Sequence, residues 1–375
     1  MDEKRKVVII AGQLVVGGAE RQLYLWLANL DRTKFVPTVI TLHPGHEDYW
    51  ENPIEELGIP LFRVPQKRLR WMRLIEIYKI IRPFKPDLIH AWHLFSSPYA
   101  GIAAKVMSCP SLGSHRDSYN IFKKSGLLGI LAMKLTDAML VNSNTTAERL
   151  RTAYPGRSDR IYSVQNAVLD DFLDRSQARK QLTNDFNLDP QKIWIGSMGR
   201  LDPKKRFDLL LEAFSRIENE SFQLILIGDG PQKGKLVDLS VELGIAKKVC
   251  FTGEIPEASR LIKAFDVFTF TSFDEGLPNV ILEAGAAGIP IITWDLPFYR
   301  EVVWQDRLLV TPGDVETFAS TLTSLLADPQ TVSEISFLTR QKIINSFNLE
   351  HYIKNMTSLY DSLLTKESPS NRSIT

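Results

Sequence analysis

At 375 residues the chain is too long for one ordinary hydrophobic core, so two domains of about 100 to 200 residues are expected. With 44% hydrophobic and 24% charged residues it has the make-up of a globular protein, and no apolar run approaches the roughly 18 to 20 residues of a membrane span. The net charge of +1 hides a division: residues 1–170 hold 23 Lys and Arg against 16 Asp and Glu, the remainder 22 against 28, so a +7 stretch precedes a −6 stretch.

The start, Met1 to Lys6 followed by Val7 to Ala11, is too short for a signal peptide and reads as a first buried strand. Cys109 and Cys250 lie far apart in apolar surroundings, which fits a reducing cytoplasm and plain packing roles. Further strands are expected at Thr38–Leu42, Leu61–Val64, Leu88–Ala91, Ala138–Asn142 and Ile161–Val164. Helical spacing falls between them at Ala19–Leu30, Trp71–Ile81, Tyr99–Met107 and Thr145–Ala153. A polar stretch from Leu169 to Asp189 follows. The alternation then restarts with strands at Ile193–Met198, Gln223–Gly228, Val249–Thr252, Val267–Thr271, Ile289–Thr293 and Leu308–Val310, again separated by helices. Two successive doubly wound α/β domains, 1–168 and 169–348, are the simplest arrangement, with their ligands beyond the carboxyl ends of the strands in the cleft where the two sheets face each other. From Phe347 the chain reads as helical, its last helix at about 349–365, and Lys366 to Thr375 reads as a disordered tail.

Candidate sites punctuate this alternation. After the first strand, Gly17-Gly18-Ala19-Glu20 opens a helix; paired glycines there let backbone amides approach a phosphate, or form a plain tight turn. Between Lys67 and Lys85, seven Lys and Arg surround an apolar stripe with only Glu76 opposing. Such a basic amphipathic helix suits an anionic membrane surface or, equally, packing on its own sheet. No interleaved basic and aromatic pattern marks a nucleic-acid partner. His115, in the loop expected after Pro110, is placed to contact a sugar hydroxyl or to be structural, and the other histidines show no metal-ligand spacing.

In the second half, Gly199-Arg200-Leu201-Asp202-Pro203-Lys204-Lys205-Arg206 gathers four cations at a strand's carboxyl end, ahead of the helix Phe207–Phe214. Cations at a helix start oppose its dipole, so a bound anion explains them better than solvation does. Arg200 and Lys205 together suffice to neutralise a diphosphate without a metal. Gly228-Asp229-Gly230-Pro231 suits a floor for a nucleotide, and main-chain groups near Thr252 to Glu254, Gly253 among them, suit its base. The most informative stretch runs from Phe270 to Ile292. Glu275 lies in a turn with Gly276 and Leu277, and Glu283 lies on the short helix behind it, the only charge among Val280, Ile281, Leu282, Ala284, Ala286 and Ala287. A carboxylate there is costly unless something bonds to it. Either Glu283 caps a neighbouring loop and Glu275 is solvated, or both accept hydrogen bonds from a polyhydroxylated ligand with an anionic part at the helix start.

Taken together, these residues resemble the retaining GT-B glycosyltransferases of family four, and the resemblance covers nearly the whole chain. Gly17-Gly18-Ala19-Glu20 is similar to the family's N-terminal glycine loop, Gly199-Arg200-Leu201 with Lys205 to its diphosphate clamp, and Gly228-Asp229-Gly230-Pro231 to the next loop. Glu275 and Glu283 match its paired glutamates at the family spacing, and His115 looks like its cleft histidine. The chain departs from the pattern at Arg206 and Ala167, where glycine is usual, at Gly285, where Met is common, and at Leu296-Pro297-Phe298-Tyr299-Arg300-Glu301, where a Gly-Gly loop is usual.

The resemblance implies a GT-B fold of two Rossmann-like domains, with the last helix packing back on the first. It implies transfer from a UDP or GDP sugar to a saccharide or polyprenyl-linked acceptor in cell-surface polysaccharide biosynthesis, with retention, without a cofactor, and at the inner face of the cell membrane. Catalysis would fall to His115, Arg200, Lys205 and Glu275. Donor binding would fall to Gly17, Gly18, Arg200, Lys205, Gly228, Gly253, Glu275, Gly276, Leu277 and Glu283, with Glu275 on the donor sugar and Glu283 on the ribose. A sugar-nucleotide epimerase and a non-catalytic nucleotide-sugar-binding subunit remain as alternatives, the second because of the altered loop at Leu296 to Arg300.

Overall fold

The apolar runs of the first half become strands β1 (Arg5–Ala11), β2 (Phe35–Thr41), β3 (Leu61–Arg63), β4 (Leu88–Ala91), β5 (Ser111–His115), β6 (Ala138–Val141) and β7 (Ile161–Ser163). Those of the second become β8 (Ile193–Met198), β9 (Phe222–Ile227), β10 (Val249–Gly253), β11 (Val267–Phe270), β12 (Ile291–Trp294) and β13 (Leu309–Val310). The computed structural model describes residues 3–43, 48–65 and 71–365. The chain divides into two compact units, one running to Ala167 and resuming at Leu349, the other spanning Val168–Asn348.

The first unit's sheet has the order β3-β2-β1-β4-β5-β6-β7, and every ladder in it is parallel. Parallel strands covered on both faces are continuous hydrophobic runs. β1 shows this, with Val7 through Ala11 all buried and paired to β2 on one side and β4 on the other. β5 escapes the sequence reading because Ser-Leu-Gly-Ser-His has neither an apolar run nor an alternating pattern, yet all five residues are buried between β4 and β6. Small residues suit this position: a Cβ on Gly113 would lie 3.0 Å from Met139 Cε and 3.1 Å from Ser97 Oγ. His115 therefore ends a central strand rather than lying in a loop.

The helix Leu349–Thr365 belongs to this first unit. Tyr352, Met356, Leu359 and Tyr360 bury one of its faces. Trp26 Nε1 donates to the Tyr360 hydroxyl at 3.2 Å, and that hydroxyl lies 2.7 Å from His90 Nδ1. His90 Nε2 lies 2.7 Å from Ser114 Oγ, so hydroxyls hold both ring nitrogens. His90 is buried, and burial and then the Arg116 charge push its pKa well below the usual value, which keeps the imidazole neutral.

The second unit's sheet has the order β10-β9-β8-β11-β12-β13, again all parallel. The polar stretch that precedes it contains the helix Arg175–Phe186, which buries only Ala178 and Leu182, one helical turn apart. Glycine at 285, where the resemblance would put Met, has a packing reason. A Cβ there would lie 2.1 Å from Ile343 Cδ1, so Gly285 lets the helix Asn279–Ala286 lie against the helix Pro329–Ser346. Among the described residues no helix is long and apolar enough to cross a membrane. The tail Lys366–Thr375 and the cations Lys67, Arg68 and Arg70 lie outside the described residues.

Candidate active site

In the second unit the order of strands reverses between β8 and β11, and ligands of open parallel sheets bind beyond the carboxyl ends of the strands at such a reversal. Gly199 to Lys205 follow β8, and Thr271 to Pro278 follow β11. Three backbone bonds lay the first segment against the end of β9: Gly199 N–H to Ile227 O at 2.9 Å, Leu201 N–H to Asp229 O at 2.8 Å and Gln232 N–H to Leu201 O at 2.9 Å. The contact is too close for a side chain. A Cβ on Gly228, whose φ is +142°, would sit 2.1 Å from Gly199 O. Gly228 N–H also bonds Gly253 O at 2.8 Å, tying in the end of β10.

Lys205 Nζ donates to Glu275 Oε1 at 2.6 Å, and Ser272 Oγ lies 2.7 Å from the same oxygen. The pair is sheltered, with side chains 14% and 9% exposed, so its attraction is weakly screened. The sequence proposed Lys205 and Glu275 as separate ligand contacts; the structure joins them. Their surroundings are stitched together: Thr271 Oγ1 donates to Lys205 O at 3.1 Å, Trp294 Nε1 to Thr271 O at 2.7 Å, and Tyr299 Oη to Ser272 O at 2.7 Å. Gly276 and Leu277 are buried in the turn entering the helix Asn279–Ala286, where Pro278 is the N-cap and supplies no side-chain cap. Glu283, also buried, lies on that helix.

Arg200 contrasts with Lys205. It is exposed, and among the described residues its side chain has no hydrogen bond or ion pair. Arg206 is differently occupied: it bonds Asp208 at 2.9 Å and lies 4.9 Å from the Phe273 ring centroid. Its φ of +52° is left-handed, which explains the glycine that the resemblance leads one to expect there.

The segment Leu296–Glu301 has a structural occupation of its own. Tyr299 is wholly buried, its ring 6.0 Å from that of Phe270, and Arg300 bonds both Asp295 and Asp306. Burial and then the neighbouring Glu275 charge push the Tyr299 hydroxyl well above its usual pKa, so it stays a donor to Ser272 O. Nothing in the sequence revealed this tyrosine as a support of the Ser272–Glu275 turn.

The other expected residues lie in the first unit. His115 is buried, its Nε2 2.7 Å from Ser118 O and its ring against Phe122, so that nitrogen is committed to its own chain. Gly17 is the N-cap of the helix Gly18–Asn29, with extended backbone. A Cβ on Gly17 would lie 2.3 Å from Glu20 Oε2. At the β1/β4 reversal, Gly12 N–H donates to His93 Nδ1 at 3.1 Å, and His93 Nε2 meets Glu20 Oε1 at 3.0 Å. A nitrogen that accepts from an amide carries no proton, so it is Nε2–H that donates to Glu20. The sequence reading missed this pairing, which joins residues 73 apart.

Two doubly wound units, the second with a cationic strand end backed by a buried Lys–Glu pair, define a GT-B protein. Two family models span most of the chain, Glycosyltransferase Family 4 over residues 16–172 and Glycosyl transferases group 1 over residues 178–342. The chain belongs to the group 1 glycosyltransferases, enzymes of the hexosyltransferase type. It is 25% identical over 347 residues to the lipopolysaccharide core biosynthesis glycosyltransferase LpsE of Rhizobium meliloti (strain 1021), covering 89% of this chain and 93% of LpsE. It is 23% identical to the UDP-Gal:alpha-D-GlcNAc-diphosphoundecaprenol alpha-1,3-galactosyltransferase of Escherichia coli, covering 85% of this chain and 87% of that enzyme. The fold matches that of Anabaena HepE solved with UDP-glucose, at a TM-score of 0.82 and 20% identity, over 95% of this chain and 99% of HepE. Membership of a transferase family sets aside the epimerase and the non-catalytic subunit.

Proposed function

We propose that this glycosyltransferase moves a hexose from a UDP-sugar to a hydroxyl of a lipid-linked saccharide, with retention at the anomeric carbon, in the assembly of a cell-surface polysaccharide. The observation that carries the donor assignment is the exposed, unpartnered Arg200 beside the sheltered Lys205–Glu275 pair at the β8/β11 reversal. The preference for UDP over GDP is supported by the UDP-glucose in HepE and the UDP-Gal named for the Escherichia coli enzyme. That enzyme's diphosphoundecaprenol acceptor supports the lipid-linked acceptor and a place at the inner face of the membrane.

In this reading the bond from the anomeric carbon to the diphosphate oxygen breaks, and the acceptor oxygen forms its bond on the same face. The acceptor's proton passes to the departing phosphate. Negative charge grows on that phosphate, and Arg200 and Lys205 meet it. Each such donor is worth roughly 3 kcal/mol. Glu275 holds the Lys205 ammonium in place and orients the donor sugar, and Glu283 takes the ribose. Gly228, Gly253, Gly276 and Leu277 shape the donor's bed with main-chain groups. His115, its Nε2 engaged, serves the acceptor through its main-chain carbonyl, and Gly17 and Gly18 bring amides to the donor phosphates.

The test is release of nucleoside diphosphate from a panel of UDP and GDP sugars, with and without a membrane lipid extract, and NMR of the product's anomeric configuration. UDP release from one sugar, stimulated by the extract, with an unchanged configuration, is the expected result. Donor binding without release, or an inverted product, contradicts it.

A further inference from the structure

In the described part of the basic stretch 67–85, the sequence's candidate for membrane contact, Lys79, Arg82 and Lys85 are exposed. Arg73 is half-buried with Nη1 3.1 Å from His43 Nε2, and Lys79 is paired with Glu76 at 3.3 Å. Beside Lys79, the helix Met72–Ile81 and its N-cap Trp71 also expose an apolar stripe of Trp71, Ile75 and Tyr78, one above the other. The same holds for two more helices on that face of the sheet. Ser97–Met107 packs beside Met72–Ile81 and exposes Ile102 and Val106; Leu127–Leu135 packs beside Ser97–Met107 and exposes Leu127, Ile130 and Leu131. These spacings of three and four place each set on one outward stripe. Leu127 is 70% exposed and Val106 60%, well beyond the scattered half-covered apolar residue of an ordinary surface.

The helix Met72–Ile81 carries Glu76, paired with Lys79, while the second and third helices carry charge of one sign. Residues 97–108 carry Lys105 and no acid, and residues 118–136 carry Lys123, Lys124 and Lys134 and no acid. All four lysines are exposed. The nearest acid in sequence after them, Asp137, is engaged by the Ser111 amide and hydroxyl. The second and third helices are closely packed: a Cβ on Gly101 would lie 2.5 Å from Leu135 O, so they touch backbone to backbone.

We propose that this three-helix face of the first unit docks on an anionic lipid bilayer, with Leu127, Ile130, Leu131, Ile102 and Val106 entering the headgroup layer and the four lysines meeting lipid phosphates. Apolar side chains accompanied by an excess of exposed lysines match that surface. A second copy of the chain is disfavoured as the occupant, since two such faces would bring lysines against lysines. The proposal rests on the lipid-linked acceptor for its purpose, but its test needs neither donor nor acceptor, so each fails separately.

The test is co-sedimentation of the full chain with vesicles of 30% phosphatidylglycerol in phosphatidylcholine and with vesicles of phosphatidylcholine alone. Binding to the first at least tenfold tighter than to the second is expected. The variant Leu127→Ser/Ile130→Ser/Leu131→Ser and the variant Lys105→Glu/Lys123→Glu/Lys124→Glu should each weaken it at least tenfold, while Lys180→Glu/Lys247→Glu, on the second unit, stays within twofold. Circular dichroism and the melting temperature of each variant report that the fold is intact. Wild-type protein that ignores both vesicles, triple variants that bind like wild type, or a wild-type dimer that the serine variant dissociates would each overturn the proposal.

Discussion

The two strand-order reversals of this chain have the same topology and opposite electrostatics. At β1/β4 the polar groups answer one another: Gly12 N–H meets His93, His93 meets Glu20, Leu14 N–H meets Asp48 and Trp92 Nε1 meets Ala19 O. At β8/β11 one cation is paired and sheltered, and another, Arg200, stands exposed without a partner among the described residues. Topology places a crevice at both; at the first the half-buried cation Arg116 lies over the Trp92 ring with Nε and Nη2 buried and unpaired, whereas at the second the cation without a partner among the described residues is exposed, where a ligand can reach it. That is why the donor diphosphate is assigned to the second unit.

The largest effect that would break this contrast is on turnover. Arg200→Ala should lower nucleoside diphosphate release about 100-fold, roughly 3 kcal/mol, while the melting temperature stays within about 2 °C because an exposed side chain without contacts is lost. Lys205→Ala should cut turnover comparably and also destabilise the protein, because it strands the buried Glu275. Steady-state kinetics beside thermal melts separate the two, and an unchanged turnover for Arg200→Ala removes it from the clamp.

Next in size is a backbone comparison between the reversals. Gly228→Ala drives a Cβ into the Gly199 carbonyl oxygen, and should cost about 3 kcal/mol in urea unfolding and weaken UDP binding. Gly12→Ala meets only the tip of the Phe95 ring, a side chain that is able to turn, and should cost about 1 kcal/mol. Equal costs would show that the two edges are equally rigid.

Acid separates the units as well. All six histidines lie in the first unit's sequence, and the folded pKa of His90 is lowered by burial. Above the unfolded value of about 6.5 His90 is neutral in both states and its contribution is complete. As pH falls below that value the unfolded chain takes the proton first, so stability declines by up to about 1.4 kcal/mol per pH unit until the folded pKa is reached. Urea midpoints at pH 7.5 and 5.5 should therefore drop for wild type, and the drop should shrink in His90→Gln. The smallest effect is that of Tyr299→Phe, which loses the bond to Ser272 O and about 1 kcal/mol with transfer intact; a large loss of turnover would make that segment part of the catalytic machinery.

Much of this was legible in the residues. The strands that are continuous apolar runs, such as Val7–Ala11 and Ile193–Met198, announce burial on both faces. β5 did not, because its burial is achieved with Ser111, Gly113 and Ser114 under closely approaching neighbours rather than with apolar bulk. The cations at Arg200 to Arg206 and the carboxylates at Glu275 and Glu283 were visible as local anomalies, charges where a helix dipole or an apolar helix disfavours them. Their pairing was not, since Lys205 and Glu275 are 70 residues apart and meet only because β8 and β11 are adjacent. The docking face was half visible: one amphipathic helix reads from the sequence, but three outward stripes join only once their helices pack side by side.

The central claim is that the unpartnered cation at the β8/β11 edge holds the donor's diphosphate. Titration calorimetry of UDP into wild type, Arg200→Ala and His93→Gln tests it most directly. Saturable binding, weakened at least tenfold by Arg200→Ala and changed less than twofold by His93→Gln, is the predicted result; UDP binding by Arg200→Ala at wild-type strength, or its loss in His93→Gln with the fold intact, would contradict it.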